Sequence, residues 1–444
     1  MKEREQFKSR IGFLLLSAGC AIGIGNVWRF PYVVGQNGGG IFVFFYLIFL
    51  LLIGVPILSM EFSVGRASAK SPVKAYQSLE KSGQKWHLHG YVGLLGNFCL
   101  MIYYTTVSGW MLNYFYKFLT GGFTGVKTSQ IASVFQNVFW MIVVVVIGML
   151  ICSMGLQNGV ERITKVMMIG LLGLIVVLAV HGLTLDNAMA GVKFYLYPDF
   201  NKIKHIGLLN VIVAAMNQSF FTLSIGIGSM AIFGSYLKKD KTLLGEAVNV
   251  AGLDTFVAIV AGLIIFPACF SFGVNPDSGP SLIFITLPNV FLSMTGGRIW
   301  GALFFLFMAF ASLSTVIAVF ENIIACTMEL WNFTRKKSVI INLILITVFS
   351  LPCALGFNVL NFLQPLGSGS TILDLEDFIV SNLLLPLGSF VYLLFCTSRL
   401  GWGFKNYQTE ANMGDGPKIQ NWMQGYLTII LPIAVIFVFI SSLV

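Results

Sequence analysis

Long apolar runs recur along the chain, and most of them are too long to be β-strands. In residues 41–58 and 137–151, apolar side chains continue without the alternation that a half-buried strand shows. A helix that crosses a membrane needs about 20 apolar residues. Hydropathy accordingly predicts eleven membrane spans, at approximately residues 11–35, 41–65, 90–119, 136–155, 163–183, 207–237, 243–273, 297–330, 338–356, 373–397 and 423–443. Residues 276–292 are moderately apolar, but they are too short and too broken by proline to form another span.

The composition supports a membrane protein and excludes several other classes. Of the 444 residues, 57% are hydrophobic and only 10% are charged, whereas soluble proteins carry about 25% charged residues. A soluble globular enzyme, a disordered chain and a coiled coil are therefore excluded. The long apolar runs also exclude a β-barrel, whose strands alternate in short segments. The expected fold class is an all-α integral membrane protein, with residues 1–444 forming a single domain.

The net charge of +9 predicts a topology rather than a nucleic-acid partner. Lys and Arg collect in the cytoplasmic loops of membrane proteins. With the N-terminus inside the cell, 20 of the 27 basic residues fall in cytoplasmic segments, and the opposite orientation inverts that ratio. We therefore expect a multi-pass protein of the cell (inner) membrane, in contact with lipid, with residues 1–10 in the cytoplasm. Because the number of spans is odd, the C-terminus is expected outside.

The cysteine and histidine residues indicate no catalytic or metal chemistry. The seven cysteines lie within or at the edges of apolar runs and form no C-x-x-C pair, which predicts buried free thiols rather than disulfides. The four histidines form no metal-binding motif, and none has an evident catalytic partner. A membrane-embedded enzyme is therefore the least favoured class.

Two of the predicted spans contain an unusual glycine pattern. The sequence I-G-I-G stands at residues 22–25 in span one and at residues 225–228 in span six, followed by a small polar residue each time. Such glycines predict unwound helices near the middle of the membrane, which are tolerated only where they line a cavity or are buried in protein. Close helix packing through small residues is the alternative. Breaks at the first and sixth spans indicate two five-helix repeats of opposite orientation, residues 11–183 and 207–397, with residues 423–443 as an eleventh helix.

Charged residues inside the predicted spans are few and suggest two gates. Such residues are costly in a membrane and are therefore candidates for function. Arg29 and Asp377 could pair on the outer side, just above the break in span one. Arg4 could pair with Glu329 at the inner end of span eight. The alternative is that each charged side chain reaches the membrane interface on its own.

Hydroxyl groups near the breaks predict sites for a hard cation. Ser314 and Thr315 are adjacent in span eight and could join free carbonyl groups near Gly19 and Ile22. A second set would comprise the Ala21 carbonyl, the Asn26 amide, Thr222 and Asp254. Oxygen ligands without cysteine or histidine suit Na⁺ rather than a transition metal. The alternative is that an isolated Ser or Thr bonds to carbonyls of its own helix.

Several motifs occur in an order that is typical of one family. They are GNVWRFP at 25–31, QNGGG at 36–40, TLSIGIGS at 222–229, SY at 235–236, Asp254 eight residues before Gly262 in AGLIIFP, and ASLST at 311–315. On these motifs the chain resembles the neurotransmitter:sodium symporters over roughly residues 4–440. The resemblance implies a LeuT-like fold in which helices 1 and 6 are unwound at mid-membrane.

The resemblance also implies two sodium ions, a substrate site and gates. The first sodium site would use Ala21, Asn26, Thr222 and Asp254, and the second would use Gly19, Ile22, Ala311, Ser314 and Thr315. The substrate site would comprise Cys20, Ala21, Gly25, Leu100, Tyr104, Phe221, Thr222, Ser224, Ile227, Thr315 and Val319. Ser235 and Tyr236 would join the gate residues Arg29, Asp377, Arg4 and Glu329.

Three departures from the family pattern shape the expected function. Position 254 is Asp where chloride-dependent relatives carry Asn, and Ala258 stands where they usually offer a serine hydroxyl. A permanent negative charge at Asp254 would make chloride unnecessary. Without Na⁺ the buried carboxylate would favour its protonated form, so H⁺ counter-transport could accompany the return of the empty carrier. The chain has eleven spans where many relatives have twelve, which favours a monomer or a weak dimer.

The expected activity is sodium-coupled symport of a neutral, hydrophobic or aromatic L-amino acid by alternating access, independent of chloride. No charged side chain belongs to the implied substrate site, which argues against a charged amino acid. The main alternative is an ion channel or a transport-dead amino-acid sensor on the same scaffold. Gates on both sides of one cavity would favour a carrier, because a pore does not need two gates.

Overall fold

The computed structural model describes residues 5–123, 134–275 and 282–441. Within these ranges the chain is helical, and its β-structure is limited to one isolated bridge between Lys241 and Asp415. The helices that follow the eleven predicted spans are Arg10–Ala21 with Gly25–Gln36, Gly40–Ser68, His87–Thr120, Val134–Ser153, Leu156–Leu183, Leu208–Thr222 with Ser229–Gly234, Leu243–Ser271, Gly297–Trp331, Arg335–Leu355, Ile372–Thr397 and Met423–Ser441. We number them as spans one to eleven.

Nine of these helices are long and apolar enough to cross a membrane, and the bent pair of span one makes a tenth among the described residues. The eleventh predicted span is span six, whose two halves are each too short to cross a membrane alone. The apolar segment between spans seven and eight forms the short helix Leu287–Ser293 in its described part, so it is not a further span. The division into two inverted repeats stays a prediction.

Span one is interrupted near its middle, as the glycine pattern predicts. Its first half ends at Ala21, because Ile22 takes the non-helical angles φ −71° and ψ 87°. The helix resumes with a wider π turn at Gly25–Arg29 and continues to Gln36, bent by 53° from the first half. The interruption leaves backbone groups without their helical partners, and such groups can bind ions or ligands.

Span six is interrupted in the same way, between Thr222 and Ser229. Ser224, Gly226 and Gly228 all have positive φ angles, of 51°, 108° and 79°. Two of the three are glycine, the residue that adopts such angles without a steric penalty. Both predicted breaks are therefore confirmed. Close packing accompanies the break in span six. Gly388 lies against the Gly226 carbonyl, so a side chain at position 388 would have no room.

The spans differ in how deeply they are buried, and the difference places the breaks in the interior. The apolar window of span eight is 83% buried, whereas spans four, five and nine are each 39% buried and span eleven only 28%. The first half of span one and the second half of span six consist mostly of buried residues, and half of the residues in the second half of span one are buried. The seven cysteines are free thiols, as predicted, and six of them are buried, but Cys99 is only partly buried. The polar atoms exposed by the two breaks therefore lie in the core of the helix bundle.

Candidate functional site

Asp254 is the centre of a buried polar cluster between spans one, six and seven. The Asn26 side-chain amide donates a hydrogen bond of 2.7 Å to Asp254 Oδ1, and the Thr222 hydroxyl donates one of 2.7 Å to Oδ2. All three side chains are buried. Ala21, the fourth residue predicted for the first sodium site, lines the cavity that Asn26 also borders. The structure therefore brings together the side chains predicted for this site.

Further hydroxyl groups lie near Asp254. Among the described residues, no basic side chain is hydrogen-bonded to its carboxylate. Tyr46 donates a long hydrogen bond of 3.5 Å to the Thr222 hydroxyl. One turn beyond Asp254, the Ala258 carbonyl accepts a hydrogen bond of 3.1 Å from the Tyr195 hydroxyl. Buried charge is stable only when it is paired with an opposite charge or binds a metal ion. A carboxylate held by an amide and a hydroxyl therefore has the chemistry to take a small cation.

A second cluster lies where span eight passes the first half of span one. The Ser314 hydroxyl is 3.0 Å from the Gly19 carbonyl oxygen and 2.9 Å from that of Ala311. The Thr315 hydroxyl lies 3.1 Å and 3.3 Å from the same two oxygens. The bonds to Ala311 are the within-helix bonds that the alternative interpretation predicts, while those to Gly19 join the two spans.

Two backbone features make this second cluster possible. A Cβ atom on Gly19 would lie only 3.2 Å from Ser314 Cβ, so glycine permits the close approach of the two helices. Ile22 ends the first half of span one with a non-helical ψ angle, which takes its carbonyl out of the helical direction. Four of the five residues predicted for the second sodium site thus meet at the junction of spans one and eight, and Ile22 stands three residues after Gly19. Their oxygen atoms suit Na⁺.

A small cavity of about 30 Å³ lies at the two breaks. Nine of the eleven residues predicted for the substrate site line it: Cys20, Ala21, Gly25, Leu100, Tyr104, Phe221, Ser224, Ile227 and Thr315. The other two predicted residues do not line this cavity, and their contact with a substrate stays a prediction. Thr222 is turned to Asp254 instead, and Val319 is fully buried without lining the cavity.

One end of this cavity is polar and carries no charged side chain. The Tyr104 hydroxyl accepts a hydrogen bond of 2.9 Å from the Ile24 backbone N–H. The Ser224 hydroxyl donates one of 3.4 Å to the Cys20 carbonyl. A Cβ on Gly23 would lie 3.0 Å from the Thr315 hydroxyl, so the second cluster is next to the cavity. Backbone groups and hydroxyls of this kind can hold the amino and carboxylate groups of an amino acid.

Sequence reasoning missed four cavity residues. Gly23 and Asn26 belong to the break in span one, and Val380 and Leu385 belong to span ten. The first two are part of a motif already recognised, and only their contribution to the cavity was overlooked. The two span-ten residues lie in an apolar stretch without any motif, so no sequence signal could have marked them.

Two further side chains hold the break in span six and also escaped a functional assignment. Glu61 of span two accepts a hydrogen bond from the backbone N–H of Gly226. Asn97 of span three donates a hydrogen bond of 2.8 Å to the Ile227 carbonyl and accepts one of 2.7 Å from the Ser229 hydroxyl. The unwound backbone is thus satisfied by buried side chains, as an interruption in a membrane helix requires.

The two residues predicted for the outer gate lie beside the same cavity without forming an ion pair in the described structure. Arg29 and Asp377 both line a cavity of about 370 Å³ above the smaller one, but no ion pair joins them in the described structure. The Arg29 guanidinium lies over the Phe221 ring, 4.2 Å from its centroid. Asp377 accepts hydrogen bonds from Tyr103 at 3.0 Å and Ser381 at 2.8 Å. The predicted ion pair is therefore not formed in this conformation, and the role of the two residues as an outer gate stays a prediction.

The predicted inner gate is only partly described. Arg4 lies outside the described residues, so its pairing with Glu329 stays a prediction. Glu329 Oε2 accepts hydrogen bonds from the Ser71 backbone at 2.9 Å and the Ser71 hydroxyl at 2.6 Å.

The other inner gate residues lie beside an ion pair that sequence reasoning missed. The Ser235 hydroxyl donates 2.6 Å to the Ile232 carbonyl of its own helix. The Tyr236 hydroxyl donates 3.1 Å to Glu321, a carboxylate that also forms a 2.8 Å ion pair with Arg335. Tyr236, Glu329 and Arg335 line a cavity of about 1120 Å³ on this side.

Comparison with known proteins agrees with this geometry. A family model described as the sodium:neurotransmitter symporter family matches residues 4–130 and 126–444. The uncharacterized sodium-dependent transporter YhdH of Bacillus subtilis (strain 168) is 34% identical, over 98% of this chain and 97% of its own. An uncharacterized sodium-dependent transporter of Haemophilus influenzae is 31% identical, over 100% of this chain and 99% of its own.

A solved structure extends the likeness to three dimensions. The crystal structure of MhsT in complex with L-phenylalanine superposes with a TM-score of 0.88. The two sequences are 37% identical, and the match covers 99% of this chain and 100% of the other. The expected LeuT-like fold class is thereby confirmed.

Proposed function

Because the chain belongs to the sodium:neurotransmitter symporter family, we propose that it carries a neutral, hydrophobic or aromatic L-amino acid together with Na⁺ by alternating access. Sodium-coupled transport follows from the family itself. The family consists of secondary transporters, so the prediction that the chain is not an enzyme is confirmed. The finer parts of the proposal rest on the two clusters and the cavity between them.

The uncharged cavity supports an amino acid with an apolar side chain. Its lining includes Leu100, Ile227, Val380 and Leu385, and none of its lining residues is charged. Burying an unpaired charge in such surroundings is costly, which disfavours acidic and basic amino acids. The similar protein MhsT was solved with L-phenylalanine. Hydroxyl and backbone groups at the other end supply the polar contacts that an α-amino acid needs.

The present size of the cavity implies that side chains move when the amino acid enters. The cavity volume of about 30 Å³ is enough for only two or three water molecules, because each needs about 10–15 Å³. Phe221 lines both this cavity and the 370 Å³ cavity above it, and it is only partly buried. Rotation of its ring would join the two spaces. We propose that Phe221 acts as the movable partition between the outer entrance and the substrate site.

The two polar clusters support two sodium ions. One cluster offers a carboxylate, an amide and a hydroxyl at Asp254, Asn26 and Thr222. The other offers carbonyl and hydroxyl oxygens at Gly19, Ser314 and Thr315. The first set joins the broken first span to spans six and seven. The second set joins it to span eight. Occupation of both sites would therefore fix the position of span one relative to the rest of the bundle.

The proposed independence from chloride rests on Asp254 and Ala258. The carboxylate supplies a fixed negative charge beside the first cation site, while the Ala258 side chain offers no hydroxyl to a halide. The nearest hydrogen-bond donors to Asp254 are neutral, so the charge is available to the cation. Loss of Na⁺ would leave that carboxylate unpaired, which supports its protonation and H⁺ counter-transport during the return step.

The chain is a multi-pass membrane transporter, and its orientation is part of the proposal. We place it in the inner cell membrane with the N-terminus in the cytoplasm and the C-terminus outside, on the distribution of Lys and Arg. A monomer or a weak dimer is part of the same proposal. With this orientation the cavity lined by Arg29 faces outward, and the one lined by Tyr236 and Glu329 faces inward.

The observation that carries the proposal is the position of both oxygen clusters beside a single uncharged cavity. The test is uptake of labelled L-phenylalanine into proteoliposomes, with an inward Na⁺ gradient and with K⁺ in its place. The proposal predicts accumulation above equilibrium only with the Na⁺ gradient. Equilibration without accumulation would indicate a channel, and Na⁺-dependent binding without uptake would indicate a transport-dead sensor. Either result would contradict the proposal.

A further inference from the structure

Span ten contains a π turn that borders the substrate cavity. The turn covers Ile379–Leu384, and the backbone N–H of Leu385 donates to the carbonyl of Val380, five residues earlier. Val380 and Leu385 are the two span-ten residues that line the cavity. The residues joined by the π hydrogen bond are thus the same two that face the site.

The π geometry explains why both side chains reach one cavity. An α-helix has 3.6 residues per turn, so residues five apart point in clearly different directions. A hydrogen bond between residues five apart widens the turn and brings the two residues above one another. Pro386 follows immediately and has no N–H to donate to the carbonyl of Asn382, which removes the α-helical bond at this point. Such π turns occur frequently at functional sites.

The backbone behind this turn is fixed by the break in span six. Gly226 packs against the Leu385 carbonyl, and a Cβ there would be 2.9 Å from the Ser389 nitrogen. A Cβ on Gly96 of span three would lie 2.9 Å from Ile227 Cγ2 and 3.3 Å from Leu384 Cδ1. Val380 is 1% exposed and Leu385 is 3% exposed. The wall therefore has little freedom to yield when a substrate side chain presses on it.

We propose that the π turn of span ten determines which amino acids are accepted, with Val380 and Leu385 setting the size of the substrate side chain. The inference rests on the proposed function, because it assumes that the cavity binds an amino acid. The polar end of the cavity recognises features common to all amino acids. The apolar wall of span ten is built from side chains that a substitution can enlarge or shorten without altering those polar groups.

The test compares the affinities of a large and a smaller amino acid in variants of the full-length chain. Val380→Ala removes two methyl groups and should favour L-tryptophan over L-leucine, and Leu385→Ala should act in the same direction. Val380→Ile adds one methyl group and should do the opposite. One methylene in an apolar pocket typically changes selectivity by about tenfold or more. Isothermal titration calorimetry in Na⁺ with L-leucine, L-phenylalanine and L-tryptophan gives the ratios of Kd.

Leu387→Ala is the matched control. Leu387 belongs to the same helix, is 42% exposed and does not line the cavity, so its truncation should leave the Kd ratios unchanged. The inference is overturned if the unmodified protein binds these amino acids but the Val380 variants keep its ratio within twofold. It is also overturned if the control shifts the ratio as strongly. Absence of Na⁺-dependent binding by the unmodified protein would refute the proposed function itself, and the inference with it.

Discussion

The Arg29 guanidinium lies over the Phe221 ring, with its central carbon 4.2 Å from the ring centroid. Phe221 lines both the outer cavity and the substrate cavity, which it is proposed to separate, and Arg29 lines only the outer one. A cation held over an aromatic ring is attracted by about 0.5–1 kcal/mol at exposed sites and more where water is excluded. In this conformation, Arg29 therefore stabilises the partition rather than an ion pair with Asp377.

Arg29→Ala should weaken amino-acid binding by roughly two- to fivefold, which corresponds to the loss of the cation–ring attraction. Phe221 would lose the group that holds its ring in place, so the substrate would escape outward more easily. Asp377→Asn should have a smaller effect in the same assay, because an amide oxygen can still accept the Tyr103 hydrogen bond. Na⁺-dependent binding of L-phenylalanine measures both effects.

A double-mutant cycle on Arg29 and Asp377 distinguishes the conformation described here from a closed outer gate. Additive effects on binding are expected if the two residues act separately. Strong non-additivity in binding would show that the substrate-bound protein forms the ion pair between Arg29 and Asp377. The unpaired arrangement would then not represent the bound state.

Ser314→Ala should raise the Na⁺ concentration required for half-maximal amino-acid binding by about tenfold or more, the usual loss when a group around a bound metal is removed. The substitution removes one oxygen that lies 3.0 Å from the Gly19 carbonyl while preserving the helix. Ser312→Ala is the control, because its hydroxyl bonds only to the Ala309 carbonyl of its own helix at 3.0 Å. Equal Na⁺ requirements in the two variants would remove Ser314 from the sodium site.

Glu61→Ala should lower the stability of the protein by about 1–3 kcal/mol, because the Gly226 N–H would lose its buried acceptor. Glu61→Gln keeps an acceptor oxygen and should restore most of the loss. The thermal unfolding midpoint of the purified protein measures the difference. Identical midpoints for Glu61→Ala and the unmodified protein would show that Glu61 does not hold the break in span six.

An acid interior should accelerate uptake if Asp254 returns protonated after releasing Na⁺. The proton would neutralise the carboxylate during the return step, since an unpaired charge is costly in the buried site. Initial rates of Na⁺-driven uptake at inside pH values of 6 and 8, with the same outside pH, provide the comparison. Equal initial rates at the two inside pH values would contradict proton counter-transport and leave sodium coupling unaffected.

The sequence predicted the parts of the site that depend on local chemistry. The paired glycines near Gly23 and Gly226 indicated unwound backbone, and the hydroxyls of Ser314 and Thr315 indicated oxygen ligands. These features were recognisable because glycine in a membrane helix and adjacent hydroxyls are both unusual there. The structure confirmed the two breaks and brought the predicted cation ligands together.

Other parts of the site depend on helix rotation and conformation, which the sequence does not encode locally. Val319 is buried but does not line the cavity, although Thr315, one turn earlier on the same span, does. Val380 and Leu385 both line the cavity because a π turn widens span ten and brings these two residues above one another. Arg29 and Asp377 line one cavity without forming an ion pair in the described structure, so opposite charges in the sequence did not establish a contact.

Asp254→Asn should abolish Na⁺-coupled uptake, because the substitution removes the only charge in the cluster formed with Asn26 and Thr222. The amide also keeps the size of the side chain, so a folding defect is not expected. Adding Ala258→Ser would supply a hydroxyl for a halide. The double variant should then regain uptake when chloride is present and remain inactive in gluconate. Recovery without chloride would contradict the charge argument.

The most direct test of the central claim is Na⁺-driven uptake of labelled L-phenylalanine by the unmodified protein with chloride replaced by gluconate on both sides of the membrane. The account predicts the same initial rate and the same accumulation as in chloride, because Asp254 supplies the negative charge beside the first sodium site. A strict requirement for chloride would contradict it.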